Sequence, residues 1–394
     1  MPGDLPDGGS MTENATTATV RELMAEFAGL TGLDPPSARP RRYLWTDAYA
    51  ACNYPELFRR TGDETYRGLA LALVDQVHRT LGRHRDDDQR TGWISGLPEE
   101  EGEAHPTRGG LRIGKPLPER RPGEPFDEGL EWDRDGQYYH YLTKWMHALT
   151  RVSRVTADPT YARWAVELAE AAHAAFTYPL PSGGKRMYWK MSIDLSRPLV
   201  PAMGQHDPLD GFVTYHELQA AAGESAHLKR EIADMAGICR GGTWATDDPL
   251  GIGGLLFDAG RIAQLMIQGG PAYGGLLDSV LHAALAGLAS FAGGGTLRHP
   301  AEYRLAFREF GLSIGLLGVH GLQEGIRENP EIFRRQEPLQ RRVDALMRYM
   351  PLADAIERFW ADGKNRASST WVQNQGINVV MFATSLAPEG FLTV

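Results

Sequence analysis

Two stretches of the chain share an amphipathic helical pattern. Apolar or aromatic residues recur in each at i, i+3, i+4, i+7 and i+11, the spacing of one buried face of a surface helix. The two sets are Tyr66, Leu69, Ala70, Leu73 and Val77, and Tyr161, Trp164, Ala165, Leu168 and Ala172. The sequence therefore predicts two equivalent outer helices.

The same kind of corner precedes both predicted helices. Residues 61–66 read Thr-Gly-Asp-Glu-Thr-Tyr, and residues 156–161 read Thr-Ala-Asp-Pro-Thr-Tyr. The Asp in each corner stands where an N-cap side chain would accept hydrogen bonds from free backbone N–H groups. The helices predicted before the corners, residues 43–60 and 136–155, are apolar or aromatic over most of their circumference, as enclosed helices are. Each corner therefore predicts a hairpin of one inner and one outer helix.

Weaker signals predict further hairpins, whose joins are marked by Gly or Pro. The predicted pairs are residues 210–222 with 226–240, 251–268 with 272–292, and 301–323 with 330–350. Residues 352–360 and 371–386 form a sixth pair, or one of them pairs with a helix at residues 19–30. Residues 186–193 are the best strand candidate.

Composition indicates a globular chain with a large core, because 42% of its 394 residues are hydrophobic and 23% are charged. The net charge of −9 argues against a nucleic-acid partner. Residues 1–17 are polar and lack the basic and apolar regions of a signal peptide, so we expect a disordered leader and a cytoplasmic location. Residues 18–394 are expected to form a single domain. The most apolar stretch, residues 250–267, is short and contains Asp258 and Arg261, so no membrane span is predicted.

Neither a metal nor a cofactor is predicted. Cys52 and Cys239 each lie in an apolar helical pattern, where buried, reduced thiols are expected. Their surroundings lack a metal-ligand spacing, which disfavours a zinc toroid of the lanthionine-cyclase type. The acidic run at residues 86–88 has no calcium-loop pattern and is interpreted as a solvated charge run.

A chain of about six helical hairpins with the Thr-Gly-Asp-x-x-Tyr corner at residues 61–66 resembles the (α/α)6 barrel. This toroid occurs in many glycoside hydrolases, unsaturated glycuronyl hydrolases, polysaccharide lyases and N-acylglucosamine 2-epimerases. The resemblance implies an all-α fold in which the loops before the inner helices surround a central cavity. The long loop at residues 84–133 would then be a wall or lid of that cavity, or alternatively a solvated insertion.

Most candidate site residues lie just before the predicted inner helices or within their first turns. Aromatic rings beside carboxylates suit sugars, because a ring stacks on the apolar face of a pyranose while carboxylates bind hydroxyls or transfer protons. The candidate catalytic residues are Asp47, Glu131, Asp133, His140 and Asp210. The candidate substrate-binding residues are Trp45, Trp93, Trp132, Gln137, Tyr138, Tyr141, His206, Asp207, His216, Glu309, Trp371 and Gln373. Helix capping and core packing are the rival explanations for the acids and the aromatics.

Three functions remain open from the sequence. A glycoside hydrolase would pair Glu131 or Asp133 with Asp210, at the ~6.5–9.5 Å carboxylate separation of inverting enzymes. Asp47 is the alternative catalytic acid. A sugar epimerase or isomerase would instead move a proton α to a carbonyl with histidines. Its candidates are His140, His206, His216 and His320. A non-catalytic helical scaffold is the third possibility. The sugar and the oligomeric state are not predicted.

Overall fold

The computed structural model describes residues 8–223, 226–271, 273–333 and 337–394. Its α-helices are α1 (Gly8–Thr31), α2 (Leu44–Thr61), α3 (Glu64–Leu81), α4 (Glu99–Ala104), α5 (Glu128–Asp133), α6 (Tyr139–Thr156), α7 (Pro159–Phe176), α8 (Asp207–Ala222), α9 (Lys229–Cys239), α10 (Pro249–Ile267), α11 (Gly274–Gly294), α12 (Ala306–Glu328), α13 (Pro330–Phe333), α14 (Glu337–Met347), α15 (Pro351–Ala361), α16 (Gly363–Arg366), α17 (Ser369–Gln373), α18 (Gln375–Leu386) and α19 (Glu389–Leu392). Short strands are β1 (Gln137–Tyr138), β2 (Thr177–Pro179), β3 (Lys185–Met187), β4 (Lys190–Met191) and β5 (Pro198–Val200), with 3-10 turns at Thr296–Arg298 and Ala301–Tyr303.

Six helices contact one another in a closed cycle that runs α2, α6, α8, α10, α12, α18 and back to α2. Each has an outer partner. Helices α3, α7, α9 and α11 pack on the first four, α14 and α15 pack on α12, and α1 packs on α18. The protein is therefore an all-α (α/α)6 toroid, as predicted. The sixth hairpin takes the second of the two arrangements left open by the sequence, with the N-terminal helix as its outer member.

The two corners have the predicted capping geometry. The turn after α2 uses Gly62 at φ 69°, a left-handed conformation that glycine adopts without steric cost. The Asp63 side chain then accepts from Thr65 N at 3.0 Å. At the second corner Asp158 accepts from Thr160 N at 2.9 Å. Both acids therefore start outer helices, and the corners lie where α2 and α6 end.

The helical part of the chain begins earlier than predicted. Helix α1 starts at Gly8, inside the stretch expected to be a leader, while residues 1–7 lie outside the described residues. Cys52 is buried and Cys239 is partly buried, and both thiols are free. By length and hydropathy alone, Pro249–Ile267 and Gly274–Arg298 could cross a membrane. The first of these, however, is a mostly buried helix of the inner ring, which explains its apolar composition.

The long loop packs closely against the inner ring. Gln137 accepts from Leu111 N at 2.9 Å and donates to Ile193 O at 2.6 Å, so that it links the loop to the chain after β4. Strand β4 pairs with both β1 and β5. The predicted strand at residues 186–193 is thus two short strands, β3 and β4, and Trp189 between them reaches the central cavity.

The C-terminal segment lies across the C-terminal halves of the inner helices, where α19 contacts α2, α6 and α10. Its backbone carbonyls accept from inner-helix side chains: His147 Nε2 reaches Phe391 O at 2.8 Å, and Gln264 Nε2 donates to Leu392 O at 2.8 Å. This segment blocks one end of the ring, and the cavity lies at the other end, where the inner helices begin.

Helices α10 and α12 approach each other through glycines. A Cβ added to Gly253 would lie 2.0 Å from Gly311 O, whereas one added to Gly260 on the same helix meets nothing within 4 Å. We predict that Gly253→Ala lowers the free energy of unfolding by about 1–3 kcal/mol through overpacking. Gly260→Ala is the matched control and should be neutral or stabilising by up to about 1 kcal/mol. Urea unfolding followed by circular dichroism measures both, and equal effects would contradict this packing.

Candidate functional site

A cavity of about 360 Å3 lies inside the ring, at the end where the inner helices begin. Residues of α2, α6, α8, α10, α12 and α19 line it, together with Trp189 and the segments that lead into α8 and α10. The lining residues are Trp45, Tyr49, His140, Lys144, Trp189, Gly204, Gln205, His206, Asp207, Asp210, Thr246, Asp248, Leu250, Gly251, Gly253, Gly254, Phe257, Asp258, Gly311, Ile314 and Phe391. The size falls within the range of small-molecule sites, about 300–1,000 Å3.

Aromatic side chains form the closed end of the cavity. Phe391 stacks on Tyr49 and on Phe257, with ring centroids 4.4 Å apart in both pairs. Nearer the opening, His140 lies parallel to Trp189 with centroids 6.3 Å apart, and Trp45 meets His140 edge-on at 6.1 Å. Such flat apolar surfaces suit the C–H face of a sugar ring.

Asp210 is held by donors from three directions. Its Oδ2 accepts from Thr143 Oγ1 at 2.5 Å and from Lys144 Nζ at 2.9 Å, and its Oδ1 accepts from Arg261 Nη2 at 2.6 Å. These interactions lower the pKa of Asp210 although burial opposes them, with Lys144 and Arg261 providing the largest stabilising effects. Asp210 is therefore an ionised, fully engaged carboxylate and not an available proton donor.

Arg261 connects Asp210 to two further acids. Its Nη2 also contacts Asp258 Oδ1 at 2.5 Å, and its Nη1 contacts Glu217 Oε2 at 3.2 Å. Burial raises the pKa of Asp258 to about 6, whereas His147 and Arg261 lower the pKa of Glu217 to about 2. Because Asp210 and Asp258 contact the same nitrogen at 2.6 and 2.5 Å, their bound oxygens lie no more than about 5 Å apart, too close for the inverting arrangement.

Two histidines stand beside Asp207 at the opening. His140 Nδ1 lies 3.6 Å from Asp207 Oδ1, and His206 directly precedes Asp207 in the chain. His206 Nε2 lies 3.2 Å from the Trp244 carbonyl oxygen, which can only accept. The neutral ring therefore bears its proton on Nε2, leaving Nδ1 as a base. Burial lowers the pKa of His206, which favours this neutral form.

Several polar atoms of the lining lack partners. His140 Nδ1, Asp207 Oδ2 and Trp45 Nε1 are buried and have no hydrogen-bond partner within the described part of the chain. Buried polar groups in folded proteins are nearly always satisfied, and exceptions are common at binding sites. These three atoms therefore indicate a site for a polar ligand.

Five of the predicted site residues meet at this cavity: Trp45, His140, His206, Asp207 and Asp210. The other predicted catalytic acids do not line it. Glu131 is buried between Lys190 at 2.9 Å and Arg120 at 3.1 Å, while Asp47 is buried beside Arg42 and accepts from its own helix at Tyr43 N. Asp133 is exposed at the end of α5. The predicted hydrolase pair of Glu131 or Asp133 with Asp210 is thus not assembled in the cavity.

The remaining predicted binding residues also lie outside the lining, and most have structural partners. Gln137 and Glu309 are buried and fully bonded, Glu309 by Arg304 and by Trp360 Nε1 at 2.8 Å. His216 bonds to Tyr273 at 2.8 Å on the outer side of α8. Trp93, Tyr138 and Trp371 are buried, Tyr141 is partly buried beside the lining, and Trp132 and Gln373 are exposed.

The sequence interpretation missed several cavity residues, among them Asp258 and Trp189, and also missed Arg261 behind them. Asp258 and Arg261 were visible only as charges that interrupt an apolar stretch. A charged pair at i and i+3 inside a helix of the inner ring is a signal that could have identified them, because such a pair must be compensated within the protein. Trp189 was part of a predicted strand, which gave no hint of its position at the cavity.

Fold and cavity together define the chain as an (α/α)6 toroid with a polar site at the open end. No protein-family model matches it, and no curated protein does so either. Among solved structures it is similar to a cellobiose 2-epimerase from Spirochaeta thermophila DSM 6192, with 12% identity, 86% of this chain and 98% of that chain covered, and a TM-score of 0.46.

It is also similar to a sugar epimerase from a ruminal bacterium, with 10% identity. That match covers 77% of this chain and 75% of the other chain, with a TM-score of 0.43. A polysaccharide lyase is similar with 11% identity. The match covers 96% of this chain and 99% of that chain, with a TM-score of 0.31. At such values these likenesses neither assign a family nor transfer an activity to this chain.

Asp210 should be essential for stability. Asp210→Asn leaves Lys144 and Arg261 without their shared counter-charge, so we predict a loss of about 3–5 kcal/mol in the free energy of unfolding. Asp248→Asn is the matched control. Asp248 caps α10 through Gly251 N and forms a partly exposed ion pair with Arg308. Asparagine keeps the cap, so the cost should be at most about 1 kcal/mol. Similar losses in urea unfolding would show that the buried network is not the cause.

Proposed function

We propose that this protein is a carbohydrate-active enzyme of the epimerase or isomerase type, which moves a proton next to the carbonyl carbon of a small sugar. The observation that carries this proposal is that His140 and His206 both line the cavity, with His140 Nδ1 3.6 Å from the carboxylate of Asp207, the residue after His206. General acid–base catalysis needs groups of this kind within reach of one carbon atom.

The charges of the lining support this chemistry over hydrolysis. Asp210 is neutralised by Lys144 and Arg261, so it neither donates a proton nor attacks a sugar carbon. The cavity histidines are held less tightly: His140 Nδ1 has no hydrogen bond within the described residues, and His206 bonds through Nε2 to the Trp244 carbonyl, which leaves its Nδ1 as a base. Imidazole is the side chain whose ordinary pKa lies nearest neutrality, where it can both accept and return a proton.

In the proposed reaction the open-chain sugar lies against the aromatic end of the cavity, with its carbonyl and the adjacent C–H near the opening. His206 Nδ1 removes the proton from that carbon, and the electron pair moves onto the carbonyl oxygen to give an enolate. Lys144, whose ammonium group belongs to the lining, stabilises the negative charge. His140 returns a proton to the opposite face of the carbon, which yields the epimer. The ketose forms instead when the proton of the C2 hydroxyl moves to the oxygen of C1 and His140 protonates C1.

Glycoside hydrolysis remains a second candidate because of one observation. Asp258 lines the cavity, and burial raises its pKa to about 6, so a fraction of it stays protonated near neutrality as a general acid requires. Its contact with Arg261 limits this role, since a protonated Asp258 would weaken that ion pair. The two candidates differ in whether the sugar exchanges hydrogen with solvent.

We predict that the wild-type protein exchanges the hydrogen next to the carbonyl of a reducing sugar for deuterium in D2O. His206→Gln and His140→Gln should each slow this exchange about 100-fold or more. His216→Gln is the control, because His216 also lies on α8 but bonds to Tyr273 outside the cavity. Proton NMR over a panel of aldoses and reducing disaccharides measures the exchange. Release of sugars from glycosides without any exchange would establish the hydrolase instead.

The pH dependence of exchange follows from the base. Burial lowers the pKa of His206, so the neutral form needed for proton removal persists below the ordinary histidine value. We therefore predict that kcat/KM falls on the acidic side only below about pH 6.5. The pH profile of kcat/KM comes from exchange rates measured between about pH 4 and about pH 8, on both sides of the ordinary histidine pKa. An acidic limb above neutrality would exclude His206 as the base.

A further inference from the structure

The cavity is closed at its inner end and continues outward along a line of aromatic rings. Phe391 blocks the inner end, where its ring stacks on Tyr49 and Phe257. Its backbone is held by His147, which bonds to Phe391 O, and by Gln264, which donates to Leu392 O. A polymer cannot pass through such a site. A bound saccharide therefore enters with one end, and any further units must lie towards the opening.

At the opening, the aromatic surface extends beyond the cavity. Trp189 belongs to the lining, and Trp132 meets it edge-on with ring centroids 5.4 Å apart. Trp132 lies outside the lining and is 48% exposed. From the inside outward, His140, Trp189 and Trp132 form a line of rings, which we call the aromatic stripe.

Exposed apolar side chains are frequent in the part of the long loop that carries Trp132. Half of the large apolar residues that are exposed in the described chain come from the stretch 117–132 of the long loop, namely Leu117, Phe126, Leu130 and Trp132. The backbone below them is fixed, because Asp135 N donates to Leu117 O at 2.7 Å and buried Glu131 pairs with Lys190 and Arg120. The exposed ring of Trp132 is thus presented on a supported loop, as a binding platform requires.

We infer that Trp132 and Trp189 form an outer sugar subsite, so that the substrate is an oligosaccharide of two or more units whose terminal sugar occupies the cavity. This inference rests on the proposed function and names its substrate class. The terminal sugar in the cavity is the reducing one, since only that unit opens to a carbonyl. The next unit stacks on the exposed indole of Trp132, which Trp189 supports edge-on.

Binding measurements test the outer subsite independently of turnover. Isothermal titration calorimetry compares glucose and mannose with their β-1,4-linked disaccharides and trisaccharides. The wild-type protein should bind at least one disaccharide or trisaccharide more tightly than the corresponding monosaccharide. Trp132→Ala should weaken that oligosaccharide by about 2- to 10-fold and leave the monosaccharide unchanged, because only the longer ligand reaches the outer ring.

Two control variants sharpen this comparison. Trp132→Phe keeps an aromatic ring and should retain most of the preference for the longer sugar. Tyr303→Ala removes an aromatic side chain that is 76% exposed and has no place in the stripe, and it should change nothing. The inference is overturned if no longer sugar binds better than its monosaccharide, or if Trp132→Ala affects both equally or neither. The exchange assay judges the proposed function separately, since loss of the outer subsite leaves exchange of a bound monosaccharide intact.

Discussion

The buried guanidinium of Arg261 is the interaction on which the site depends. It joins Asp258 on its own helix α10 to Asp210 and Glu217 on α8, and Asp210 in turn binds Lys144 on α6. Three neighbouring inner helices are therefore connected by charge inside the ring. Removing charges from water is costly, so a group of this kind persists only when each member is closely paired. Its presence at the cavity wall indicates that a polar wall, and not only an apolar filling, was needed there.

The same network determines which groups remain free to react. Carboxylates next to a sugar would ordinarily be the first candidates for proton transfer, but Asp210 is fully engaged by three donors. Lys144, which pairs with Asp210 at 2.9 Å, belongs to the cavity wall. His140 and His206 lie towards the opening. Within the described residues His140 Nδ1 has no hydrogen bond, and His206 Nε2 bonds to the Trp244 carbonyl oxygen. Charge pairing deep in the ring thus moves the reactive chemistry to the end that the substrate enters.

The sequence predicted the fold better than the site, for physical reasons. Helical periodicity and the capping corners at Asp63 and Asp158 depend on local geometry, and both were confirmed in the toroid. The partner of α18 depended on a contact between distant parts of the chain, and the sequence left it open. Site residues posed the same difficulty. Glu131 has the right type and position along the chain, but its partner Lys190 lies on a strand 59 residues further along, and no local pattern predicts that contact. Asp258 and Arg261 are the opposite case, site residues that the sequence analysis does not select. As charges in an apolar stretch they indicate only that the stretch is not a membrane span.

The two ends of the described chain explain how such a cavity can exist at all. A ring of six inner helices has an open axis, and an open axis through a core exposes apolar side chains to water. Helix α1 covers α18 from outside, and α19 inserts Phe391 against Tyr49 and Phe257 from the side opposite the opening. The segment that closes the axis is itself held by inner-helix side chains, which bond the carbonyl groups at the end of α19 that the short helix cannot satisfy itself. Closing one end converts the axis from a channel into a pocket with a fixed depth. That depth, set by one phenylalanine, limits how much of a saccharide can enter and leaves the remaining units to the aromatic stripe.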